Sequence, residues 1–404
     1  MNTWCGSGIP LESGSSRILT GARKARGSLA GPTWETEMTV SIKGVNDLGR
    51  HVGPLRAELE EAVREVIASG WFVLGRQVTA FEDAFAAYCG TEFCVSVANG
   101  TDALELALKA LGISSGERVA TVANAGMYST TAILAAGARP VYADIDPQTL
   151  LIDPKSLCAV LAQQRPAALI VTHLYGRMVD MPMIVEMTRA HDVLVIEDCA
   201  QAHGALLAGR RSGAWGDLGC FSFYPTKNLG ALGDGGAVVT ASVALAERLR
   251  GLRQYGWVSK YRADLPGGRN SRLDELQAAL LARMLPYLDG WNARRRAIAV
   301  AYSAGIVHPR VRSSASGGED YVAHLYVVRC DEREALRTFL AEAGIPSEVH
   351  YPLPDYRQLS LAGVVDSVEL GATDLACSEV LTLPCFPEMT DEEVAAIIER
   401  VNAW

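Results

Sequence analysis

The sequence predicts an α/β fold with a mostly parallel sheet of seven strands, followed by a smaller C-terminal α+β domain. Seven short runs rich in β-branched residues recur between Phe93 and Thr240, and helical segments such as DALELALKALG separate several of them. Most of these runs are almost continuously apolar, as expected of strands buried on both faces. After about Leu280, long helical patterns replace this alternation and predict the second domain.

Local patterns place the individual elements of the large domain. Apolar residues at helical spacing from Val52 to Ile67 predict a helix that ends at Gly70. The predicted strands cover residues 94–99, 118–124, 139–145, 168–174, 193–198, 220–223 and 236–240. Ligands of such sheets bind beyond the carboxyl ends of the strands. The residues at these ends are therefore the candidates for a site.

The rest of the chain divides into a tail and a C-terminal domain. The C-terminal part reads as a long helical stretch, a Ser/Gly-rich loop at 313–320, a strand AHLYVVR and two further helices. We predict domains at 40–284 and 285–404. Residues 1–39 are rich in Gly, Ser and Arg and lack periodicity, which predicts a disordered tail. A transit peptide or an extension from an upstream start site are the alternatives.

Composition argues against several classes of partner. The formal net charge of −9 disfavours nucleic acid as the main partner. The nine cysteines include no CxxC pair and, with seven scattered histidines, show no zinc spacing, so we expect no metal and reduced thiols in a cytoplasmic protein. No apolar run reaches the roughly 18 to 20 residues of a membrane span, so no membrane association is expected.

Two strand ends carry candidate ligand-binding groups. The first strand leads into NGTDALELAL, where Gly100 permits close approach of a ligand and the spacing of Asp102 and Glu105 suggests a capping box. A helix beginning there would cradle a phosphate, although an ordinary strand–helix turn is the alternative. The strand VLVIED ends at Asp198, a half-buried carboxylate that needs a partner or forms a structural salt bridge. Gln201 lies three residues further on.

A lysine follows a third strand end. In FSFYPTKNLGALGDGG, Ser222 lies on the strand and Lys227 lies just past it, among aromatic residues and glycines. The P-loop pattern is absent. A desolvated lysine has a lowered pKa and suits Schiff-base formation with an aldehyde, whereas a solvated lysine is the alternative. A phosphate cradle, a carboxylate and a lysine together match the phosphate, pyridine nitrogen and aldehyde of pyridoxal 5'-phosphate (PLP).

From about Val40 to Trp404 the chain resembles the DegT/StrS-type sugar aminotransferases, PLP enzymes of fold type I. The resemblance rests on NGTDALELAL, HLYG, EDCAQAHGA, FSFYPTKNLGALGDGGAVVT, LRQYG, NSRLDELQAALL, WNARR and HYPLP. It implies catalytic roles for Lys227, which binds the PLP aldehyde, and for Asp198, which pairs with the pyridine nitrogen. It further implies the following contacts: Gln201 near the cofactor hydroxyl, Gly100, Thr101 and Ser222 at the phosphate, and Asn270 at the phosphate of the neighbouring subunit.

The resemblance also implies partners and a substrate. A homodimer with shared active sites follows from the role of Asn270, and His350 and Tyr351 match a segment that lines the sugar pocket. The family commonly stacks an aromatic residue on PLP, and here Met127 or Tyr128 takes that position. Asp355 and Tyr356 replace a histidine found in relatives.

The function implied is transfer of an amino group from L-glutamate to a nucleotide-linked keto sugar, with the 3-keto group of a dTDP-6-deoxyhexose preferred. The alternatives are a 4-keto nucleotide sugar, a cyclitol ketone, a dehydrating or isomerising PLP enzyme, and a non-catalytic PLP-binding regulatory protein. Lys227 argues against the dehydrating branch, in which histidine replaces the lysine.

Overall fold

A seven-stranded sheet forms the centre of the computed structural model, which describes residues 42–313, 317–365 and 368–404. The predicted disordered tail, residues 1–39, lies outside the described residues. The strands of the whole chain, in order, are β1 Phe93–Val97, β2 Arg118–Thr121, β3 Arg139–Tyr142, β4 Ala168–Thr172, β5 Leu194–Asp198, β6 Leu206–Leu207, β7 Arg210–Arg211, β8 Leu218–Ser222, β9 Gly236–Thr240, β10 Trp257–Ser259, β11 Arg262–Ala263, β12 Arg312–Ser313, β13 Tyr326–Arg329 and β14 Val380–Leu383.

The central sheet has the strand order β1-β9-β8-β5-β4-β2-β3. Strands β8, β5, β4, β2 and β3 pair in parallel, whereas β9 runs antiparallel to both of its neighbours, β1 and β8. This confirms the predicted α/β class and the mostly parallel sheet. The carboxyl ends of β1, β4, β5 and β8 consequently meet at one edge.

Helices cover both faces of the sheet. They are α1 Leu48–Val52, α2 Arg56–Ser69, α3 Arg76–Cys89, α4 Gly100–Ala110, α5 Tyr128–Ala135, α6 Pro154–Gln164, α7 Met181–Arg189, α8 Val243–Leu252, α9 Glu275–Met284, α10 Leu288–Gly305, α11 Arg333–Glu342, α12 Gly371–Glu379 and α13 Asp391–Asn402. Along β5, Val195 packs with the cluster that contains α6 and α7, whereas Ile196 packs with the cluster that contains α4 and α8. Burial on both faces explains the nearly continuous apolar runs. Among the described residues, no helix is long and apolar enough to cross a membrane.

The C-terminal part contains a second sheet. Strands β12, β13 and β14 form an antiparallel sheet, and their buried face shares a core with α10, α11 and α13 that includes Tyr302, Leu336, Phe386 and Ile397. This matches the α+β pattern expected from the sequence. The boundary at 284/285 stays a prediction.

Helix ends follow local chemistry, with one correction. Gly70 ends α2 with φ 64°, and Thr390 opens α13 with a complete capping box, in which Glu393 is the second partner. The predicted capping box of Asp102 and Glu105 is wrong. Asn99 is the N-cap of α4, because its extended backbone lets its side chain accept a hydrogen bond from the N–H of Asp102. The helix therefore begins at Gly100.

A buried carboxylate joins α3 to α9. Glu275, the first residue of α9, is 1 % exposed, and its carboxylate accepts hydrogen bonds from the N–H groups of Gly75, Gln77 and Val78 at 2.8, 3.0 and 2.9 Å. The N-cap residue of α3 is Gly75, which has no side chain to do this. Glu275 therefore supplies the cap of α3 from a position 200 residues away.

We predict that Glu275→Ala lowers the free energy of unfolding by about 1 to 3 kcal/mol, because it leaves the first N–H groups of α3 without their acceptor. Urea denaturation followed by circular dichroism measures the change. Glu61→Ala, on the exposed face of α2, is the matched control and should stay within about 0.5 kcal/mol of wild type. An equal loss in the two variants would contradict the capping role.

Candidate active site

A cavity of about 690 Å³ opens at the edge where the carboxyl ends of the parallel strands meet. Its walls come from the ends of β1, β4, β5 and β8, from the turn after β8 and from the segment that enters α5. Three segments distant in sequence, at 44–46, 324–325 and 348–351, complete them. The lining residues include Asn46, Gly100, Thr101, Tyr128, Asp198, Gln201, Ser222, Lys227, Asp234, His324, Glu348, His350 and Tyr351. The cavity thus contains nine of the eleven residues predicted for the site.

Asp198 is the last residue of β5 and is 6 % exposed. The N–H of Ala200 donates to its Oδ1 at 3.1 Å. Burial raises the pKa of the Asp198 carboxyl, whereas the hydrogen bond from Ala200 and the positive charge of Lys227 act in the opposite direction. The carboxylate is therefore a buried negative charge that a cationic group in the cavity would stabilise.

Lys227 lies in the turn that follows β8. Its N–H donates to the carbonyl of Tyr224 at 2.9 Å, and Asn46 Nδ2 donates to the neighbouring carbonyl of Thr226 at 2.9 Å. The turn returns so closely that a Cβ at Gly230 would lie 2.4 Å from the carbonyl oxygen of Pro225, so only glycine fits there. Burial lowers the pKa of Lys227 to about 8, opposed by the charge of Asp198. Within the described parts of the chain, Nζ has no hydrogen-bond partner.

The predicted phosphate contacts converge at the start of α4. Gly100 is the first residue of the helix, Thr101 follows it, and both line the cavity beside Ser222. A Cβ at Gly100 would lie 2.6 Å from Cβ of Ser222. The close approach of α4 to the end of β8 therefore requires glycine at this position. The backbone N–H groups and hydroxyls gathered here suit an anion.

Gln201 connects the opposite wall. Its Oε1 accepts from the N–H of Tyr175 at 2.6 Å, and its Nε2 donates to the hydroxyl of Tyr351 at 3.1 Å. The ring of Tyr351 meets the ring of Tyr128 edge-on, with centroids 6.0 Å apart. His350, next to Tyr351, also lines the cavity, and burial lowers the pKa of its imidazole.

Two predicted residues lie outside the cavity lining. Met127 has a left-handed backbone, φ 73°, and its N–H donates to Asp355 Oδ1 at 3.0 Å, whereas Tyr128 lines the cavity and is 48 % exposed. Of the two candidates for stacking on the cofactor ring, Tyr128 is thus the better placed. Asn270 is exposed, pairs through its backbone with Gln254 and does not line the cavity of its own chain.

Several lining residues were not predicted from the sequence. Asn46 comes from the segment before α1, His324 from the segment before β13, and Asp234 and Glu348 from loops. His324 begins the HLYVVR strand pattern, which could have drawn attention to it. No local pattern distinguishes Asn46, because its contact with the Lys227 turn joins residues 180 positions apart.

One buried group has the composition of a metal site but is fully engaged in hydrogen bonds. The ligand atoms of His173, Glu197 and Cys199 lie within 4.8 Å of one another, and all three residues are buried. The carboxylate of Glu197 accepts from the N–H groups of Trp215 and Gly216 and, on its other oxygen, lies 3.0 Å from Nε2 of His173. The N–H of Val179 donates to Nδ1 of His173 at 3.2 Å, so both ring nitrogens are used. We therefore read this group as structural.

Asp355 joins two walls of the cavity. Beyond the bond from Met127, its Oδ2 accepts from the hydroxyl of Thr130 at 2.6 Å, and its own N–H donates to the carbonyl of Ala123. These bonds hold the loop after Tyr351 against the start of α5. Burial raises the pKa of Asp355 to about 6.

Comparison with known proteins identifies the class. Residues 54–402 match the DegT/DnrJ/EryC1/StrS aminotransferase family, and the chain belongs to this family. This confirms the resemblance predicted from the motifs.

Similar relatives and structures agree with this class. The chain is 44 % identical to a dTDP-3-amino-3,6-dideoxy-α-D-galactopyranose transaminase of Aneurinibacillus thermoaerophilus, covering 86 % of this chain and 95 % of the relative. It is 41 % identical to a dTDP-3-amino-3,4,6-trideoxy-α-D-glucose transaminase of Streptomyces venezuelae, covering 89 % and 95 %. The crystal structure of S. venezuelae DesV in complex with a ketimine intermediate superimposes with a TM-score of 0.85 at 40 % identity, over 89 % of this chain and 97 % of DesV.

We predict a pH-dependent effect of Asp355→Asn. The folded pKa of Asp355 lies above its ordinary value of 3.8, so the folded state binds this proton more tightly and stability falls as pH rises through about 4 to 6. An asparagine does not titrate; its Oδ1 can still accept from the N–H of Met127, and its Nδ2 can donate to the hydroxyl oxygen of Thr130, which reverses that bond. Between pH 4 and pH 7, the free energy of unfolding of wild type should therefore fall by about 2 to 3 kcal/mol relative to that of the variant.

Urea denaturation of both proteins across this pH range measures the difference. Asp83→Asn, at an exposed position of α3, is the control, and its free energy of unfolding should change with pH as that of wild type does. A constant difference between wild type and Asp355→Asn across the range would show that Asp355 is not a raised-pKa carboxyl.

Proposed function

We propose that this protein binds PLP and transfers an amino group from L-glutamate to the 3-keto group of a dTDP-linked 6-deoxyhexose. The observation that carries the proposal is the placement of Lys227 and Asp198 in one cavity with the phosphate cradle of Gly100, Thr101 and Ser222. Family membership supports the aminotransferase reaction. The two relatives named above, both transaminases of dTDP-3-amino sugars, support the sugar class and the 3-position.

The residues present fit the cofactor group by group. The start of α4 and Ser222 would hold the phosphate, because backbone N–H and hydroxyl donors lie close together there. Gly100, which has no side chain, allows this close approach. Asp198 would accept a hydrogen bond from the protonated pyridine nitrogen, which offsets the cost of burying its charge. Gln201 would lie near the cofactor hydroxyl and Tyr128 against the ring. When bound, PLP supplies an electron sink for the negative charge that develops at the donor Cα.

Lys227 performs the proton chemistry in this proposal. With a pKa near 8, roughly one lysine in ten is neutral at pH 7, against roughly one in three thousand for an ordinary lysine. The neutral amine binds an aldehyde and, once released, its Nζ accepts the proton from the donor Cα and returns it later in the reaction. Because Lys227 is buried, its charged ammonium form is disfavoured, and part of the amine is neutral near pH 7.

The substrate side is formed by His350, Tyr351 and the loop that Asp355 anchors. His350 is held neutral by burial, so it offers a hydrogen-bonding imidazole and no charge to the sugar hydroxyls. Amination of a 4-keto sugar or of a cyclitol ketone is the alternative.

We predict that the protein with PLP shows a visible absorption band of the lysine-bound cofactor, which L-glutamate bleaches. Lys227→Ala should lose this band, and turnover should fall at least ~100-fold because the proton carrier is gone. Lys155→Ala, an exposed lysine on α6, should retain both. Retention of the band and of full turnover in Lys227→Ala would overturn the assignment.

Substrate choice is tested with the same proteins. L-Glutamate, L-glutamine and L-alanine are offered as donors, and 3-keto and 4-keto nucleotide sugars and a cyclitol ketone as acceptors. Mass spectrometry should show replacement of oxygen by NH in the 3-keto sugar with glutamate. Loss of water would indicate a dehydrating enzyme, and bound PLP without a half-reaction with any donor would indicate a regulatory protein.

We propose further that the active protein is a homodimer with shared active sites. Among the described lining residues, Lys227 is the single lysine or arginine, whereas Asp198, Asp234 and Glu348 are carboxylic acids. A diphosphate-linked sugar needs more donors than this cavity holds. Asn270 is exposed and outside its own cavity, as a residue donated to a second copy would be.

We predict that the protein sediments as a dimer. Asn270→Ala should weaken PLP binding but leave the dimer intact. In a mixed dimer of Lys227→Ala and Asn270→Ala chains, one of the two sites combines an intact Lys227 with an intact Asn270 from the other chain. The mixed dimer should therefore be more active than either variant alone. Absence of such recovery, with mixed dimers demonstrated by two affinity tags, would contradict sharing of sites.

A further inference from the structure

Ion pairs bind the segment before α9 to α4, and the roles given above do not use them. The side chain of Glu105 is 6 % exposed, and its two oxygens bind different cations: Oε1 lies 2.6 Å from Nζ of Lys109, and Oε2 binds the guanidinium of Arg269. Arg269 Nη1 also lies 3.2 Å from Oδ1 of Asp102. Nζ of Lys109 donates further to the carbonyl of Gly267 at 3.0 Å. Helix α4 therefore holds this segment at two of its residues.

Hydrogen bonds to other elements fix the same segment. The N–H of Arg269 donates to the carbonyl of Leu252, the last residue of α8, at 2.9 Å. The N–H of Ser271 donates to the carbonyl of Arg253 at 3.0 Å. The hydroxyl of Ser271 accepts from the N–H of Ala98, just beyond β1, at 3.1 Å. The backbone on both sides of residue 270 is thus fixed by α4, the end of α8 and the end of β1.

The side chain of Asn270 contrasts with this fixed backbone. It is exposed, and its amide group makes no hydrogen bond to any residue that the structure describes. When such a side chain binds an external group, the backbone that carries it is already ordered, so little further conformational freedom is lost. The segment is therefore preorganised to present Asn270 to a group outside its own chain.

The helix that holds this segment is also the helix of the proposed phosphate cradle. Gly100 and Thr101 are the first residues of α4, and Glu105 follows within its first two turns. In a homodimer with shared sites, α4 would serve both cavities. Its first residues would bind the phosphate in its own cavity, and its carboxylates would hold the residue that reaches the other cavity.

We propose that Arg269, bound by Glu105 and Asp102, is a positioning residue that holds Asn270 in place for the phosphate site of the partner subunit. The affinity of one chain for PLP then depends on an ion pair inside the other chain. This inference rests on the proposed function, from which it takes the sharing of sites, and it adds the residues that make the shared contact precise.

The test uses a mixed dimer purified with two affinity tags. The lysine chain carries Asn270→Ala and an intact Lys227, and the asparagine chain carries Lys227→Ala and an intact Asn270. One of the two sites combines both intact residues, whereas the other lacks both and gives no band of lysine-bound cofactor. A titration with PLP, followed by this band, therefore measures the affinity of the shared site alone, without any substrate.

Arg269→Met removes the guanidinium and keeps a long side chain. Placed in the asparagine chain, it should weaken PLP binding on the order of tenfold, because Asn270 is no longer held in place. Placed in the lysine chain, it should leave the affinity unchanged, since residue 270 of that chain is already alanine. Arg269→Lys in the asparagine chain keeps a cation for Glu105 and should recover most of the affinity. Arg310→Met, at a similarly exposed arginine that pairs with a glutamate, is the matched control and should have no effect in either chain.

A second variant approaches the ion pair from its other side. Glu105→Gln removes the carboxylate that binds Arg269, and it should also weaken PLP binding when placed in the asparagine chain and not when placed in the lysine chain. Sedimentation and circular dichroism show whether each mixed dimer is folded, so that a variant that fails to assemble is replaced by the other.

The placement of the variant decides the outcome. Equal weakening from both chains would indicate a purely structural role, and weakening from the lysine chain alone would indicate that Arg269 offsets the negative charge beside its own phosphate cradle. Either result, or no change from either chain, would overturn the proposal.

The proposed function can fail separately. If the protein binds PLP but aminates no sugar, the affinities still decide the role of Arg269. If the mixed dimer without further changes binds PLP no better than Asn270→Ala alone, sharing of sites is refuted, and the role of Arg269 with it.

Discussion

The site depends on a buried carboxylate that belongs to the scaffold. Glu197 is fully buried and binds the N–H groups of Gly213, Trp215 and Gly216, with His173 at 3.0 Å. These contacts join the end of β4, the end of β5 and the loop that enters β8. Since side chains alternate along a strand, fixing Glu197 on one face of β5 also fixes the direction of Asp198 on the other. The carboxyl ends of β4 and β5 and the loop that enters β8 are thereby held in one arrangement before any ligand binds.

The cavity holds charge with few internal partners. Asp198 receives one backbone hydrogen bond, and Lys227 has none at Nζ within the described residues. Burial raises the pKa of Asp198 and lowers the pKa of Lys227, so the charged form of each group is costly in the cavity without a ligand. The carboxylate of Glu197 thus has its hydrogen-bond partners within the protein, whereas Asp198 and Lys227 have few. The latter two are therefore available to bind a ligand.

The residues predicted from the sequence are those at strand ends. Gly100, Asp198, Ser222 and Lys227 could be found because continuous apolar strands mark where the sheet edge lies. Their placement in one cavity agrees with that expectation, and their roles stay predictions. Asn46 could not be found, since it reaches the cavity through a contact between segments far apart in sequence. His324 begins a recognisable strand pattern, but its place beside the cavity depends on an equally distant contact. The choice between Met127 and Tyr128 depends on a left-handed backbone angle at Met127, which the sequence does not encode in any local pattern.

The antiparallel strand β9 constrains how this site can change. The segment that carries Lys227 leaves β8 at Ser222 and returns to pair with it at Gly236, and Phe223 and Gly235 are hydrogen-bonded at the base. It is therefore a closed loop anchored at both ends, whereas most connections of the sheet cross over through a helix. The distance from Ser222 to Lys227 is set by the sheet. The N–H of Ala231 also donates to the carbonyl of Phe223 at 2.8 Å, so the far side of the loop, outside this pairing, runs from Leu232 to Asp234. Insertions on the far side can reshape the mouth of the cavity while the spacing between the phosphate cradle and the amine remains the same.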